Sequence, residues 1–484
     1  MRDIGIIGGG PGGLLSAYQL ERRYRDACRL TLFEATKRVG GKIHTRHFDA
    51  VPIPYESGTA ECYDYSSLGK DPLRELVASL GLATTPTEGS ALVLDGAWLQ
   101  NERDVLQRFG AATLGAIQRF RERASSMLPV ETWLADRWQD DNAHPWARRS
   151  CEDVLNDVDD PIARKYLKAM VHSDLATEPH LTSGLNGLKN FLMDVPGYVS
   201  QYSIDGGMGE LPRRLRTSLT RTRVELESEA IRIEKAEDDR YRVLIRQDGQ
   251  FRERLFDALI IALPLGALAA IDFSGERLRR AMSEHVSHYD RPGHYLRVSV
   301  LFDRPFWRDW VSGSWFMSDA FGGCCLYDES ARHNSGRYGV LGFLLAGNDA
   351  LSMGNRDDTD LVDKVLKSLP DPLYREASEG LIEARVHRWA NSVSAQPGGT
   401  PLRNPRAAHN PEPRRHPGLF IVGDYLFDST LNGVYDSAVL ATDCLCSHLG
   451  GRQSVPIRPQ SVRSAARVAR AVDGSDSGNL WASG

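Results

Sequence analysis

Between Ile7 and Leu14 the chain sets five glycines among six residues, Gly8-Gly9-Gly10-Pro11-Gly12-Gly13, and no other stretch limits the fold as much. The turn follows a short apolar run, Asp3 to Ile7, and leads into Leu14 to Arg23, where Leu15, Tyr18 and Leu20 recur at helical spacing. A second apolar run, Arg29 to Glu34, comes next, so strand, turn, helix and strand complete one βαβ unit. In such a unit Gly8 permits the tight turn, Gly10 lets the backbone approach a diphosphate without a Cβ, and Gly13 lets helix and sheet pack closely. The N–H groups that open the helix attract the anion. Glu34, 21 residues past Gly13, stands at the distance from which a carboxylate accepts hydrogen bonds from a ribose. The spacing predicts a bound dinucleotide but does not decide between NAD and FAD.

At 484 residues the chain exceeds what one core usually supports, so two domains are expected, interleaved or consecutive. From Asn101 to about Lys168 the pattern is helical, with Val105, Phe109, Ile117 and Phe120 at three- and four-residue steps. Alternation returns between Val224 and Ile245, and Asp257 to Ala262 is a continuous apolar strand. His294 to Phe302 alternates strictly, Gly418 to Val422 reads as one more buried strand, and Val434 to Leu449 as a final helix.

A net charge of -5 spread over both signs points to neither nucleic acid nor an acidic membrane surface. Seven cysteines, with no C-x-x-C pair and no histidine cluster at zinc spacing, predict no metal site and a reduced, cytoplasmic setting. The first strand lacks the basic lead of a signal peptide, and no window approaches the roughly 20 apolar residues of a membrane span. The segment 451–484, polar and rich in Gly, Ser and Asp, is expected to be mostly disordered.

Three further runs carry a family resemblance: Glu34-Ala35, Arg38-Val39-Gly40-Gly41-Lys42-Ile43-His44-Thr45 and Tyr55-Glu56-Ser57-Gly58. With the glycine turn they resemble the N-terminal signature of the flavin amine-oxidase superfamily, which includes monoamine and polyamine oxidases, L-amino-acid oxidases, protoporphyrinogen oxidases and desaturases. The resemblance implies FAD, held by Gly8, Gly10, Pro11, Gly12, Gly13, Glu34, Ala35 and Lys42, with Arg38, Gly40 and Gly41 along the diphosphate and the isoalloxazine edge. Asp205 to Leu211 is similar to the family's return into the FAD domain, and Val224 to Ile233 to its adenine strand, where Ala230 would offer its backbone. Leu419 to Ala438 resembles the C-terminal flavin motif. There Gly423-Asp424 would reach the ribityl and phosphate side, and Gly433-Val434 would present N–H groups to the flavin N1/O2 locus. No cysteine stands near the position of covalent attachment, so FAD is expected to be non-covalent.

Two departures bear on chemistry. Many family oxidases carry a lysine over the flavin about nine residues before a Phe-Trp pair; counting back from Phe306-Trp307 gives Arg297, which donates hydrogen bonds but is no base. Alternation puts Tyr295, Arg297 and Ser299 on one face of the strand, either toward the flavin cavity or toward water. Where amino-acid oxidases of the family hold a carboxylate-clamping arginine, this chain has Glu61, which suits a cationic amine or a solvated loop. Arg297, Glu61, Tyr425 and Trp389 are the candidate catalytic residues, and Tyr63, His172 and Tyr202 complete the expected cavity.

The expected fold class is α/β: a Rossmann-like FAD-binding domain from discontinuous segments (1–85, 205–272, 386–450) with an inserted α+β substrate domain (86–204, 273–385). The expected reaction is hydride transfer from a small molecule, an amine or nitrogen heterocycle, to flavin N5, with reoxidation by molecular oxygen. A desaturase, dehydrogenase or isomerase acting on an apolar molecule is the alternative. Oligomeric state is left open.

Overall fold

Ile4–Ile7, Leu30–Phe33, Ala258–Ile261 and Leu419–Ile421 are short and, Thr31 apart, apolar, the pattern of strands covered on both faces. In the computed structural model, which describes residues 1–24, 27–133, 144–332, 336–396 and 403–450, they pair in parallel. With Arg223–Glu225 at one edge they form a five-stranded sheet whose centre is Arg2–Ile7. The segment 451–484 lies outside the described residues.

One face of this sheet is covered by the helices Pro11–Tyr24 and Leu431–His448, whose Leu14, Leu20, Ala438, Ala441 and Leu445 pack on Ile4, Ile6, Leu32 and Ile260. The other face, with Ile7, Phe33, Leu259 and Ile261, meets Ile233, Val243 and Ile245 of a four-stranded sheet and the helix Glu276–Tyr289. Three layers result, as expected for an α/β dinucleotide fold.

A seven-stranded sheet forms the second unit, in the order Leu381–Ser394, Pro292–Phe302, Gly339–Ala346, Cys324–Asp328, Trp315–Ser318, Leu92–Leu94, Ala97–Leu99. Helices within Glu102–Met193 bury Phe120, Leu167, Leu188 and Leu192 in one cluster with residues of this sheet. Along Pro292–Phe302 the alternation holds: Leu296, Val298, Val300 and Phe302 enter a core cluster with Phe343 and Leu345. The opposite face is not wet either, since Arg297 is 1% exposed and Ser299 fully buried.

Three expected boundaries fall within strands. Residue 386 falls inside the continuous strand Leu381–Ser394, which belongs to the seven-stranded sheet. Residue 272 cuts a strand, and the helix after it, expected in the substrate domain, buries Leu278 and Met282 against the dinucleotide fold. Residue 85 cuts Thr84–Thr87, which pairs with Ser200–Ile204 and, through it, with Cys62–Asp64. Among the described residues no helix is long and apolar enough to cross a membrane.

Candidate functional site

The three motif glycines separate by what a side chain there would meet. Gly8, at φ +105°, would put a Cβ 2.4 Å from the Ala262 carbonyl, and Gly13 would put one 1.9 Å from the Gly8 carbonyl. Both are required by the protein itself. Gly10 would meet nothing nearer than Gly41 Cα at 3.9 Å, so the space over it is left to a ligand. Gly12 closes the opposite side, since a Cβ there would lie 2.9 Å from Val422 Cγ1 and 3.2 Å from Val434 Cγ2. The two distant motifs therefore touch. Gly10, Pro11, Gly12, Gly41 and Lys42 share one cavity of about 430 Å³ with Val422, Gly423, Asp424 and Val434. Lys42 ties the halves together: its Nζ donates to the Ser392 carbonyl and lies 3.3 Å from Asp424 Oδ2.

Gly8, Gly13, Glu34, Ala35, Arg38, Gly40, Ala230 and Gly433 do not line this cavity. Glu34 accepts from the N–H of Gly9 at 2.8 Å and from Thr36 N–H and Oγ1, so its carboxylate sits over the turn. The Ser228 N–H donates to the Glu34 carbonyl, which brings the strand of Ala230 alongside; the ladder bulges directly after Ala230. Arg38 donates to the carbonyls of Val39, Gly41 and Ile43 and braces the loop that presents Gly41. In the last helix two of the motif's N–H groups are engaged within the protein. The Gly433 N–H is engaged by the Thr430 cap at 3.1 Å and that of Val434 by the Thr430 carbonyl, leaving the N–H groups of Leu431 and Asn432 as those of the first turn without a partner among the described residues.

Beyond the cradle the cavity is walled by Tyr63, Tyr295, Tyr327 and Trp389, the last held by its indole N–H on the Ser57 carbonyl at 2.5 Å. Arg297 lines it too. Its guanidinium is paired with fully buried Glu329, reaches the Gly58 carbonyl at 3.3 Å, and stacks 5.1 Å over the Tyr327 ring. Glu61 is no solvated loop acid: it faces the cavity and accepts from Tyr327 Oη at 3.3 Å. Beside it stands Asp174, which burial and the negative charge of Glu61 push up to about 7. Burial pushes the Glu61 carboxyl up as well.

The other expected cavity residues lie elsewhere. Tyr425 bonds His285 Nε2 at 3.1 Å and joins the core under the parallel sheet, because the turn Asp424–Leu426 swings its ring away from the motif. His172, fully buried, faces the Gly323 carbonyl and Glu178. Tyr202 packs under Arg74, 4.2 Å from its guanidinium carbon. Sequence reasoning missed Asp174, Glu329 and Tyr327. For Asp174 a signal existed: it stands at the next helical step after buried Leu167 and Val171, an acid on an apolar stripe. Glu329 and Tyr327 carry no motif.

A family model for flavin-containing amine oxidoreductases matches residues 11–446. The chain belongs to this family. Its cofactor is accordingly a flavin, and the open cradle at Gly10, facing the C-terminal motif, fits such a group. Solved amine oxidoreductases share the fold. Cyclohexylamine oxidase from Brevibacterium oxydans superposes with a TM-score of 0.70 at 18% identity, covering 93% of this chain and 99% of that one. Putrescine oxidase bound to putrescine gives 0.68 at 19% identity, with the same coverage. A coproporphyrinogen III oxidase of Mycobacterium tuberculosis is 35% identical over 82 residues, a stretch that spans 17% of its length and 17% of this chain.

Proposed function

We propose that this flavin amine oxidoreductase binds FAD non-covalently and oxidises a small molecule bearing a protonated amine or a nitrogen heterocycle, with molecular oxygen as the final acceptor. When bound, the flavin supplies the hydride acceptor and the route to oxygen. The protein holds the substrate between aromatic walls and keeps water out.

One observation carries this reading: Glu61 and Asp174 face the cavity with no ion-pair partner among the described residues. A cation entering from water relieves both. A substrate bearing several carboxylates, such as a porphyrinogen, would meet like charge instead. The dinucleotide cradle at Gly10, with Glu34 over the turn, supports FAD rather than a mononucleotide. Non-covalent binding is supported by the cavity's cysteine, Cys62, whose thiol burial pushes up to about 12, a poor nucleophile. Seven unpaired thiols support a cytoplasmic setting.

The second reading, a desaturase or isomerase acting on an apolar molecule, is favoured by Arg297, which occupies the expected lysine position as a fixed cation. Anaerobic mixing of the purified protein with primary amines, putrescine and cyclohexylamine among them, separates the two. Bleaching of the flavin, and its return with peroxide when air is admitted, supports amine oxidation. Turnover of an apolar substrate without net bleaching supports the second reading and overturns the first.

A further inference from the structure

Glu61 and Asp174 reach the cavity from segments 113 residues apart, and the fold places Asp174 badly for an anion. It is the last but one residue of the helix Pro161–Leu175, where the terminal carbonyls repel negative charge. Asp194 caps the C-terminus of the neighbouring helix Gly184–Met193 and shares the field of the other two carboxyls. Asp174 makes no hydrogen bond within the described residues. Such a grouping costs stability: Arg332 and Arg297 offset Glu61 in part, while Asp174 has no ion-pair partner among the described residues. A second observation points to a ligand in the same cavity: Arg297, 1% exposed, lines it and keeps Nε without a hydrogen-bond partner. Unused donors beside unused acceptors are completed by a polar guest.

We propose that Asp174 is the general base of the reaction, its carboxylate taking a proton from the substrate's ammonium group while Glu61 holds that group beside it. The assignment rests on the amine reading above. In the step an N–H bond breaks, its electron pair stays on nitrogen as a lone pair, and an O–H bond forms on Asp174; nothing is oxidised or reduced. A neutral amine, unlike an ammonium, can then stabilise the carbon that gives up hydride.

The other groups that face Asp174 from the neighbouring strands keep one charge state near neutrality. Tyr63, Tyr295 on Pro292–Phe302, and Cys325 and Tyr327 on Cys324–Asp328 are all pushed up by burial and stay neutral. Arg297 and Arg332 are fixed cations, engaged by Glu329 and by the Ala60 carbonyl. On the same helix His172 is turned onto Gly323 and Glu178. Burial and Glu61 hold Asp174 at about 7, where a general base works best at neutral pH.

The test uses the flavin-loaded protein and its Asp174→Asn and Glu61→Gln variants. Infrared spectra recorded across neutrality should show a protonated-carboxyl C=O band that titrates, disappears in Asp174→Asn, and titrates at lower pH in Glu61→Gln. Anaerobic reduction by the amine that bleaches the flavin fastest should accelerate with pH up to a plateau. Asp174→Asn should slow it on the order of 100-fold or more and abolish that pH limb, with flavin content unchanged. A band that survives in Asp174→Asn, or reduction at an unaltered rate, overturns the assignment while leaving the amine reading intact. If no amine bleaches the flavin although the band behaves as expected, both fall together. Should Asp174→Asn fail to fold, Glu61→Gln decides: a pH limb that does not shift to lower pH overturns the assignment.

Discussion

At the scale of single residues, Gly10 and Gly13 differ in what they serve, although they stand three positions apart in one motif. A side chain at Gly10 enters ligand space only, whereas one at Gly13 enters the Gly8 carbonyl. Gly10→Val is therefore expected to fold and purify colourless, and Gly13→Val not to fold; circular dichroism beside flavin absorbance distinguishes them, and a yellow Gly10→Val protein would contradict the cradle. Glu34→Ala is expected to lose most of its flavin too. Arg297→Met strands the fully buried Glu329, a loss of about 3–5 kcal/mol by urea unfolding, and adding Glu329→Gln should recover most of it. Stability should also depend on pH through Asp174. Its folded value, about 7, lies above the roughly 3.9 of an unfolded aspartate, so the folded state holds the proton more tightly and stability falls as pH rises between the two. Asp174→Asn should flatten that slope and leave the remainder to the other carboxyls that burial raises, Glu56, held at about 7, with Glu61 and Asp194. An unchanged slope would show the carboxyl to be solvated.

At the scale of elements, the strands and the glycine turn were legible because their signals are local: apolar runs four residues long, alternation along Pro292–Phe302, and a helix beginning directly after Gly10. What pairs with what was legible only where motif spacing implied it, as for Glu34 and the turn. The side chains facing Asp174 were not, since no periodicity relates a helix C-terminus to a loop 113 residues earlier. Tyr425 and Gly433 show a subtler limit. Both stand in the motif, yet a single turn after Gly423 rotates Tyr425 onto His285, and the Thr430 cap takes the Gly433 N–H. Thr430→Ala is expected to cost about 1 kcal/mol in thermal or urea unfolding, the usual loss of an N-cap. It should weaken flavin retention as well, because the freed turn also carries Leu431 into the cavity wall.

At the scale of the whole molecule, the cavity has walls from both sheets, so flavin and fold are coupled. Saturating apo protein with FAD at about 100 times its dissociation constant should stabilise the folded state by roughly 2.7 kcal/mol. Scanning calorimetry is expected to show one transition moving upward; two transitions, of which only one moves, would mean that the halves unfold independently. The strand Leu381–Ser394, which contains residue 386, makes this coupling physical: it belongs to the seven-stranded sheet and reaches Ser392, where Lys42 grips it. The strand Leu419–Ile421 is the last to join the parallel sheet, and the helix behind it closes the cradle first laid out at Gly10. On the ribosome, then, the glycine turn emerges hundreds of residues before its lid, and the yellow pigment can be captured only once translation has passed that lid. Nascent chains stalled earlier would remain colourless.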